Sequence, residues 1–208
     1  MHEPKKPYCG PAANRKTMLT YLQIIAGIWI IFMAFLYIPA LFVSAPVERR
    51  SSWYVQRSII IAIIVIILVI ILTMYDSGTL ILRIIPDSPL TGITGIVLTI
   101  AGLGFSAWAR LHLGKYWSGM VMVKVGHRII KTGPYRIVRN PMYTGLFIAY
   151  VGAAIAIGEL LAFVTLIIGI GTVWIKIKAE EEILLEKFGE EYLQYKRDVS
   201  AAIIPWVV

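Results

Sequence analysis

Cysteine is almost missing from this chain. Cys9 stands alone among 208 residues, so there is no intrachain disulfide and no thiolate cluster for a metal ion. Charge is sparse as well, at 15% of residues against roughly 25% in soluble domains. Acid is the rarer sign, with 12 Asp and Glu against 20 Lys and Arg and a net charge of +8. The charges gather in clusters separated by long uncharged runs, a distribution that excludes an ordinary soluble domain. What fills the space is apolar: 58% of residues are hydrophobic, against roughly 45–50% in soluble proteins, and the mean hydropathy is +0.76. The basic excess does not indicate nucleic acid. It lies beside apolar runs, where anionic headgroups and the positive-inside rule account for it. The apolar run from Leu19 is too long for a cleaved signal peptide and no small-residue cleavage site follows it, so it reads as a retained span. No repeat is present, and no low-complexity tract beyond one Ile-rich run.

A helix needs about 20 apolar residues to cross a hydrocarbon core of roughly 30 Å. Five runs bounded by charge meet or approach that length. Leu19 to Ala45 crosses with tilt, Pro39 offers a kink and Pro46 an end. Ser58 to Tyr75 is almost continuous Ile, Val and Leu with no helical period, as befits a segment surrounded by lipid or other helices. Leu90 to Trp108 contains Gly92, Gly95, Gly102 and Gly104, which would let a neighbouring helix approach closely. Pro141 to Ile157 and Leu160 to Ile175 are joined only by Gly158 and Glu159, and so form an antiparallel hairpin of short helices. The expected fold is an all-α integral membrane protein of about five transmembrane helices. Residues 1–208 read as one membrane domain, with N-terminal spans over 1–110 and a catalytic region over 111–208.

Arg110 to Arg139 carries seven Lys or Arg and no acid, whereas Asp76 to Pro89 carries one basic residue and two acids. The long basic loop therefore faces the cytoplasm. Five spans put the C-terminus and the Arg49, Arg50 and Arg57 loop on that side too, and the N-terminus outside. Lys5, Lys6, Arg15 and Lys16 conflict with that last placement. After Lys178 come Glu180, Glu181 and Glu182, then Ile183, Leu184, Leu185, Phe188, Tyr192 and Tyr195 spaced three and four apart on a charged background. That pattern is an amphipathic helix, continuing the fifth span and lying along the cytoplasmic face of the protein or the membrane.

The segment Lys124 to Tyr143, KVGHRIIKTGPYRIVRNPMY, holds the most chemistry. Gly126, Gly133, Pro134 and Pro141 mark turns that leave backbone groups free to bond a ligand. His127 and Tyr135 can stack or hydrogen-bond, and Arg136 and Arg139 suit a carboxylate bidentately. Composition alone also allows a basic juxtamembrane loop that only touches headgroups. Three consecutive glutamates point about 100° apart on a helix, so at most two of Glu180 to Glu182 face inward. Because the acidic run and the basic loop flank one hairpin, they must meet at the same membrane surface.

GHRIIKTGPYRIVRNPMYTG, followed by AEEEILLEKFGEEYLQYKRDV, resembles the isoprenylcysteine carboxyl methyltransferases and their phospholipid methyltransferase relatives, from about Trp117 to the C-terminus. The resemblance implies a membrane transferase that binds S-adenosylmethionine under the cytoplasmic loop and the C-terminal helix. It implies cofactor contacts at Val125, Gly126, His127, Ile130, Gly133, Tyr135, Asn140, Pro141, Tyr143, Glu181 and Glu182, an acceptor-orienting Arg139, and Glu182 or Glu181 as a catalytic base. No metal is implied. Where carboxyl methyltransferases usually have Arg-His-Pro, this chain has Arg139, Asn140 and Pro141, a form closer to the phospholipid N-methyltransferases. The acceptor thus stays open between prenylated cysteine carboxylate, phospholipid amine and a smaller thiol or carboxylate. Methyl transfer is an in-line displacement in which the protein aligns the partners and excludes water. A carboxylate acceptor needs only positioning, whereas a protonated amine needs a base. The implied partners are the bilayer and a lipophilic methyl acceptor, with no nucleic acid and no obligate protein partner. The other readings are an NADPH-dependent sterol-reductase-like protein, for which the chain is short, and a lipid-binding scaffold.

Overall fold

The computed structural model describes residues 15–42, 47–50, 60, 82–117, 122–124, 126 and 128–204. The expected second span, Ser58 to Tyr75, lies outside these residues apart from Ile60. The elements are α1 (Arg15–Phe42), β1 (Val47–Arg50), α2 (Pro89–Leu113), β2 (Met122–Lys124), α3 (Pro141–Ile157), α4 (Leu160–Phe188) and α5 (Glu190–Asp198), with short 3-10 turns at Gly114–Tyr116 and Gly133–Arg136. Among the described residues three helices are long and apolar enough to cross a membrane, and α3 is a shorter apolar helix. The protein is an all-α membrane protein.

Each helix boundary has a local cause. Ser88 caps α2: its hydroxyl accepts from the Thr91 N–H at 3.1 Å, while the Thr91 hydroxyl accepts from the Ser88 N–H at 3.2 Å. Pro89 then starts the helix with φ preset and no N–H to waste. Pro141 starts α3 in the same way, and Gly158 ends it in the left-handed region at φ +71°, where glycine bears no Cβ penalty. Helix α4, at 29 residues, is about 44 Å long at 1.5 Å per residue. It therefore outruns the hydrocarbon core and carries its acidic end past it.

The tightest packing joins α2 to α3. A Cβ on Gly95 would sit 2.5 Å from the Gly152 carbonyl, and one on Gly102 would sit 2.5 Å from the Gly145 carbonyl. The two helices thus run antiparallel in backbone contact, with the Thr99 hydroxyl donating to Gly95 at 2.8 Å and Ala149 at 3.3 Å. The α3–α4 pair is joined as the expected hairpin, but α4 is long rather than short, and α3 sets its small residues against those of α2. Gly92 receives the Tyr21 ring, whereas Gly104 meets nothing within 4 Å and takes no part in the approach.

Two ends of the bundle are distinct. At one end Ile84 and Ile85 donate to the Gly158 carbonyl at 2.8 and 3.1 Å, and Leu160 donates to Leu82 at 2.9 Å. There Glu159 is buried, and burial raises its carboxyl above the usual range against the opposing pull of the Arg83 cation. At the other end β1 pairs antiparallel with β2 across a bulge between Val47 and Arg49. This ribbon was not anticipated from the residues, and it brings the two basic loops to one face. Tyr21 at one end of α1 meets Gly92, and Tyr37 near its other end meets Trp117 at 5.7 Å. Helix α1 therefore runs parallel to α2, with its N-terminal end on the face opposite the basic loop.

Candidate active site

The basic loop folds as a backbone-rich shelf over the ends of α2 and α4. Gly133 opens the turn at φ +59°, and a Cβ there would lie 2.6 Å from the His112 ring. Glycine lets the loop lie on that ring, with His112 Nε2 and Thr132 Oγ1 3.0 Å apart. Pro134, Tyr135 and Val138 are buried beneath the shelf. The Tyr135 hydroxyl donates to the Ala109 carbonyl at 3.5 Å, and the Tyr195 hydroxyl donates to the Tyr135 carbonyl at 2.7 Å.

The C-terminal segment then runs beside Arg139 and Asn140. The Arg139 N–H donates to Ala201 at 3.0 Å and the Asn140 N–H to Ala202 at 3.0 Å. The Asn140 amide repeats that contact to Ala202 at 3.2 Å, and the Thr144 hydroxyl donates to the Ile203 carbonyl. Helix α5 folds back over Gly189 and buries Tyr192, Tyr195 and Val199 against Ile129, Leu184 and Phe188. The amphipathic pattern after Lys178 is thus split between α4 and α5, and its apolar face covers protein.

The acidic end of α4 meets this shelf. Glu181 accepts from Arg139 Nε on Oε1 at 2.9 Å and from Lys196 Nζ on Oε2 at 2.9 Å. Arg139 Nη1 donates to the carbonyls of Val199, at 2.7 Å, and Ser200. Glu180 accepts from the Tyr143 hydroxyl at 2.8 Å, and Lys176 lies 5.5 Å from the Tyr143 ring centre. Glu182 is exposed. Successive helical residues turn by about 100°, so two of the three carboxylates face the shelf and the third faces away.

Of the expected site residues, Gly133, Tyr135, Arg139, Asn140, Pro141 and Tyr143 lie along the shelf and Glu181 on the helix end that meets it. Glu182, expected as a cofactor contact and as a base, is exposed and faces away from the shelf. Ile130 is partly buried on the rising limb of the loop and Gly126 is exposed. Val125 and His127 lie outside the described residues. Glu180 belonged to the acidic run whose inward members the sequence left open, whereas Tyr195, Lys196 and the carbonyls of residues 199–203 escaped the sequence reading. Tyr195 belonged to the amphipathic stripe and was read as packing, and Lys196 was read as its charged background.

Burial raises the hydroxyls of Tyr135, Tyr192 and Tyr195 above the ordinary tyrosine value of 10. Neighbouring Glu180 adds to the rise at Tyr135 and Glu181 at Tyr192, while at Tyr195 the Arg139 cation opposes it. All three are neutral at physiological pH, and Tyr135 and Tyr195 serve as hydrogen-bond donors. Among the described residues no group of three or more His, Cys, Asp or Glu is placed to hold a metal ion.

Apolar helices with a charged, hydrogen-bonded cluster at one end define a membrane protein that presents a polar site at the bilayer surface. Residues 90–191, from α2 into α5, match the family described as Phospholipid methyltransferase, a little under half of the chain. It is similar to the protein-S-isoprenylcysteine O-methyltransferase of Saccharomyces cerevisiae, 32% identical over 120 residues, or 55% of this chain and 49% of that protein. It is also similar to methanethiol S-methyltransferase 1 of Bradyrhizobium diazoefficiens, 42% identical over 75 residues, or 35% of this chain and 24% of that protein. The protein-S-isoprenylcysteine O-methyltransferase of Homo sapiens is 26% identical over 114 residues, 53% of this chain and 40% of that protein. The matches thus span about half or less of these relatives' length.

Proposed function

We propose that this chain is a membrane methyltransferase that takes its methyl group from S-adenosylmethionine and passes it to a lipophilic acceptor drawn from the bilayer, with the site facing the cytoplasm. The observation that carries this reading is the meeting of the loop and the acidic helix end, through Arg139–Glu181 and Tyr143–Glu180. Glu180 beside an aromatic hydroxyl suits a positively charged ligand group. The turn at Gly133–Arg136 and the side-chain carbonyl of Asn140 offer the polar contacts a nucleoside needs. The residues present therefore fit the cofactor, and Gly133, Tyr135, Asn140, Pro141, Tyr143, Glu180 and Glu181 are the groups assigned to hold it. When bound, S-adenosylmethionine supplies an activated methyl group on a sulfonium.

The protein's own part is to bind, orient and exclude water. Arg139 orients the acceptor. Glu181 is committed to two cations and Glu180 to Tyr143, so neither is a ready base, which favours an acceptor already anionic over a protonated amine. A carboxylate such as that of a prenylated cysteine meets the requirement, consistent with the names of the yeast and human relatives. A thiolate meets it too, and the similarity to a methanethiol S-methyltransferase favours that as the second reading. We take residues 1–208 as one membrane domain.

S-adenosylhomocysteine should raise the melting temperature of the detergent-purified protein. Stabilisation by NADPH instead would replace the reading with a reductase, and stabilisation by neither would leave a scaffold. Labelled methyl donor offered with prenylcysteine analogues, small thiols and phosphatidylethanolamine should mark one of the first two. Exclusive labelling of phosphatidylethanolamine would overturn the argument from the absent base.

A further inference from the structure

The geometry points to Lys196 as a positioning residue that keeps one end of the Arg139 guanidinium available, an inference that rests on the function proposed above. A guanidinium facing a carboxylate normally engages it through two parallel N–H bonds, a geometry both partners favour. Here Arg139 and Glu181 are nearly buried, at 9% and 10% side-chain exposure, yet the pair shares a single bond, Nε to Oε1 at 2.9 Å. The second carboxylate oxygen is taken by Lys196 Nζ at 2.9 Å. Arg139 Nη1 is turned to the carbonyls of Val199 and Ser200. Among the described residues Nη2 donates no hydrogen bond. It is the nitrogen on the same side as Nε–H, the one a two-point grip by Glu181 would consume.

Lys196 therefore stands between Glu181 and full capture of Arg139. Its position follows from the fold: α5 is anchored by Tyr195, whose hydroxyl donates to the Tyr135 carbonyl, and Lys196 is the next residue. One turn further along, Val199 and Ser200 fix the opposite edge of the same guanidinium. Helix α5 and its exit thus set the direction of Arg139 from two sides, one through Glu181 and one directly. The chemical class served is an anion, a carboxylate or thiolate, that needs a free N–H pointing into the site.

The test compares wild type, Lys196→Gln and Lys196→Arg. In Lys196→Gln, Glu181 closes on Arg139. Modification of Arg139 by phenylglyoxal, followed by mass spectrometry on ligand-free protein, should slow several-fold. KM for N-acetyl-S-farnesylcysteine, measured at saturating S-adenosylmethionine, should rise about ten-fold. Lys196→Arg, which keeps a cation on Oε2, should restore the modification rate and KM. An unchanged or faster modification rate in Lys196→Gln overturns the inference, as does failure of Lys196→Arg to restore it. Should wild type bind no S-adenosylhomocysteine, or bind it without methylating the farnesylcysteine probe, the proposed function or its acceptor fails. The modification rates still decide the role of Lys196.

Discussion

Arg139 carries the heaviest assignment of any single side chain, since it touches Glu181 and two carbonyls of the terminal segment and is the residue we propose for orienting the acceptor. Lysine in its place keeps the charge but loses the planar fork. Arg139→Lys should therefore fold and bind S-adenosylhomocysteine within a few-fold of wild type, while kcat/KM falls about 100-fold, the scale of a misplaced reactant. A large loss of cofactor affinity would show that Arg139 holds the cofactor instead. The three glutamates make a second test. Glu180 and Glu181 face the shelf and Glu182 is exposed. Glu180→Gln or Glu181→Gln should weaken S-adenosylhomocysteine binding in a titration, and Glu182→Gln should leave binding and turnover within two-fold. A loss in Glu182→Gln would restore that residue to the site. From sequence the choice among the three was open, because a 100° turn per residue fixes their relative directions and not the direction of the site.

At the scale of elements, the α2–α3 seam and the α5 cap do different work. The seam depends on glycine at two levels, Gly95 with Gly152 and Gly102 with Gly145, where a Cβ would sit 2.5 Å from a carbonyl oxygen. Gly102→Leu must push the helices apart and should lower stability by about 1–3 kcal/mol, the range for an overfilled interior, read as a fall in melting temperature in detergent. Gly104→Ala, which meets open space, should be neutral or stabilising, since alanine favours helix by about 1 kcal/mol over glycine. Four glycines in one span predicted close approach, and two of them deliver the α3 contact. The cap is held by buried tyrosines. Because burial raises their folded-state values above 10, their contribution to stability is present at neutral pH. It is lost as pH rises beyond the ordinary tyrosine value. Proteolysis within residues 190–204 should accelerate above about pH 10, and Tyr195→Phe, which loses about 1 kcal/mol of hydrogen bond, should show a smaller alkaline increment. An equal increment would exclude Tyr195 from the effect.

For the whole molecule, the two ends of the bundle must face opposite sides of the membrane. In a Cys9→Ser background, Glu190→Cys should react with an impermeant maleimide only from the cytoplasmic side, and Ile84→Cys only from the other. Reaction of both from one side would dismantle the arrangement. The sequence by itself determined the membrane class, since long uncharged runs can hide their backbone polar groups in lipid only as helices. It also determined that the basic loop and the glutamates share a face, since both flank α3 and the start of α4 with only Gly158 and Glu159 between the helices. It could not reveal the pairing of Val47–Arg50 with Met122–Lys124, the preference of α3 for α2, or the terminal carbonyls around Arg139. Those contacts join residues tens of positions apart, 60 between Arg139 and Val199 and, from 124 − 47, 77 between Val47 and Lys124. Local propensity and periodicity carry no information at that range. Only the packed chain decided which two glutamates turn toward the shelf and which cation shares Glu181 with Arg139.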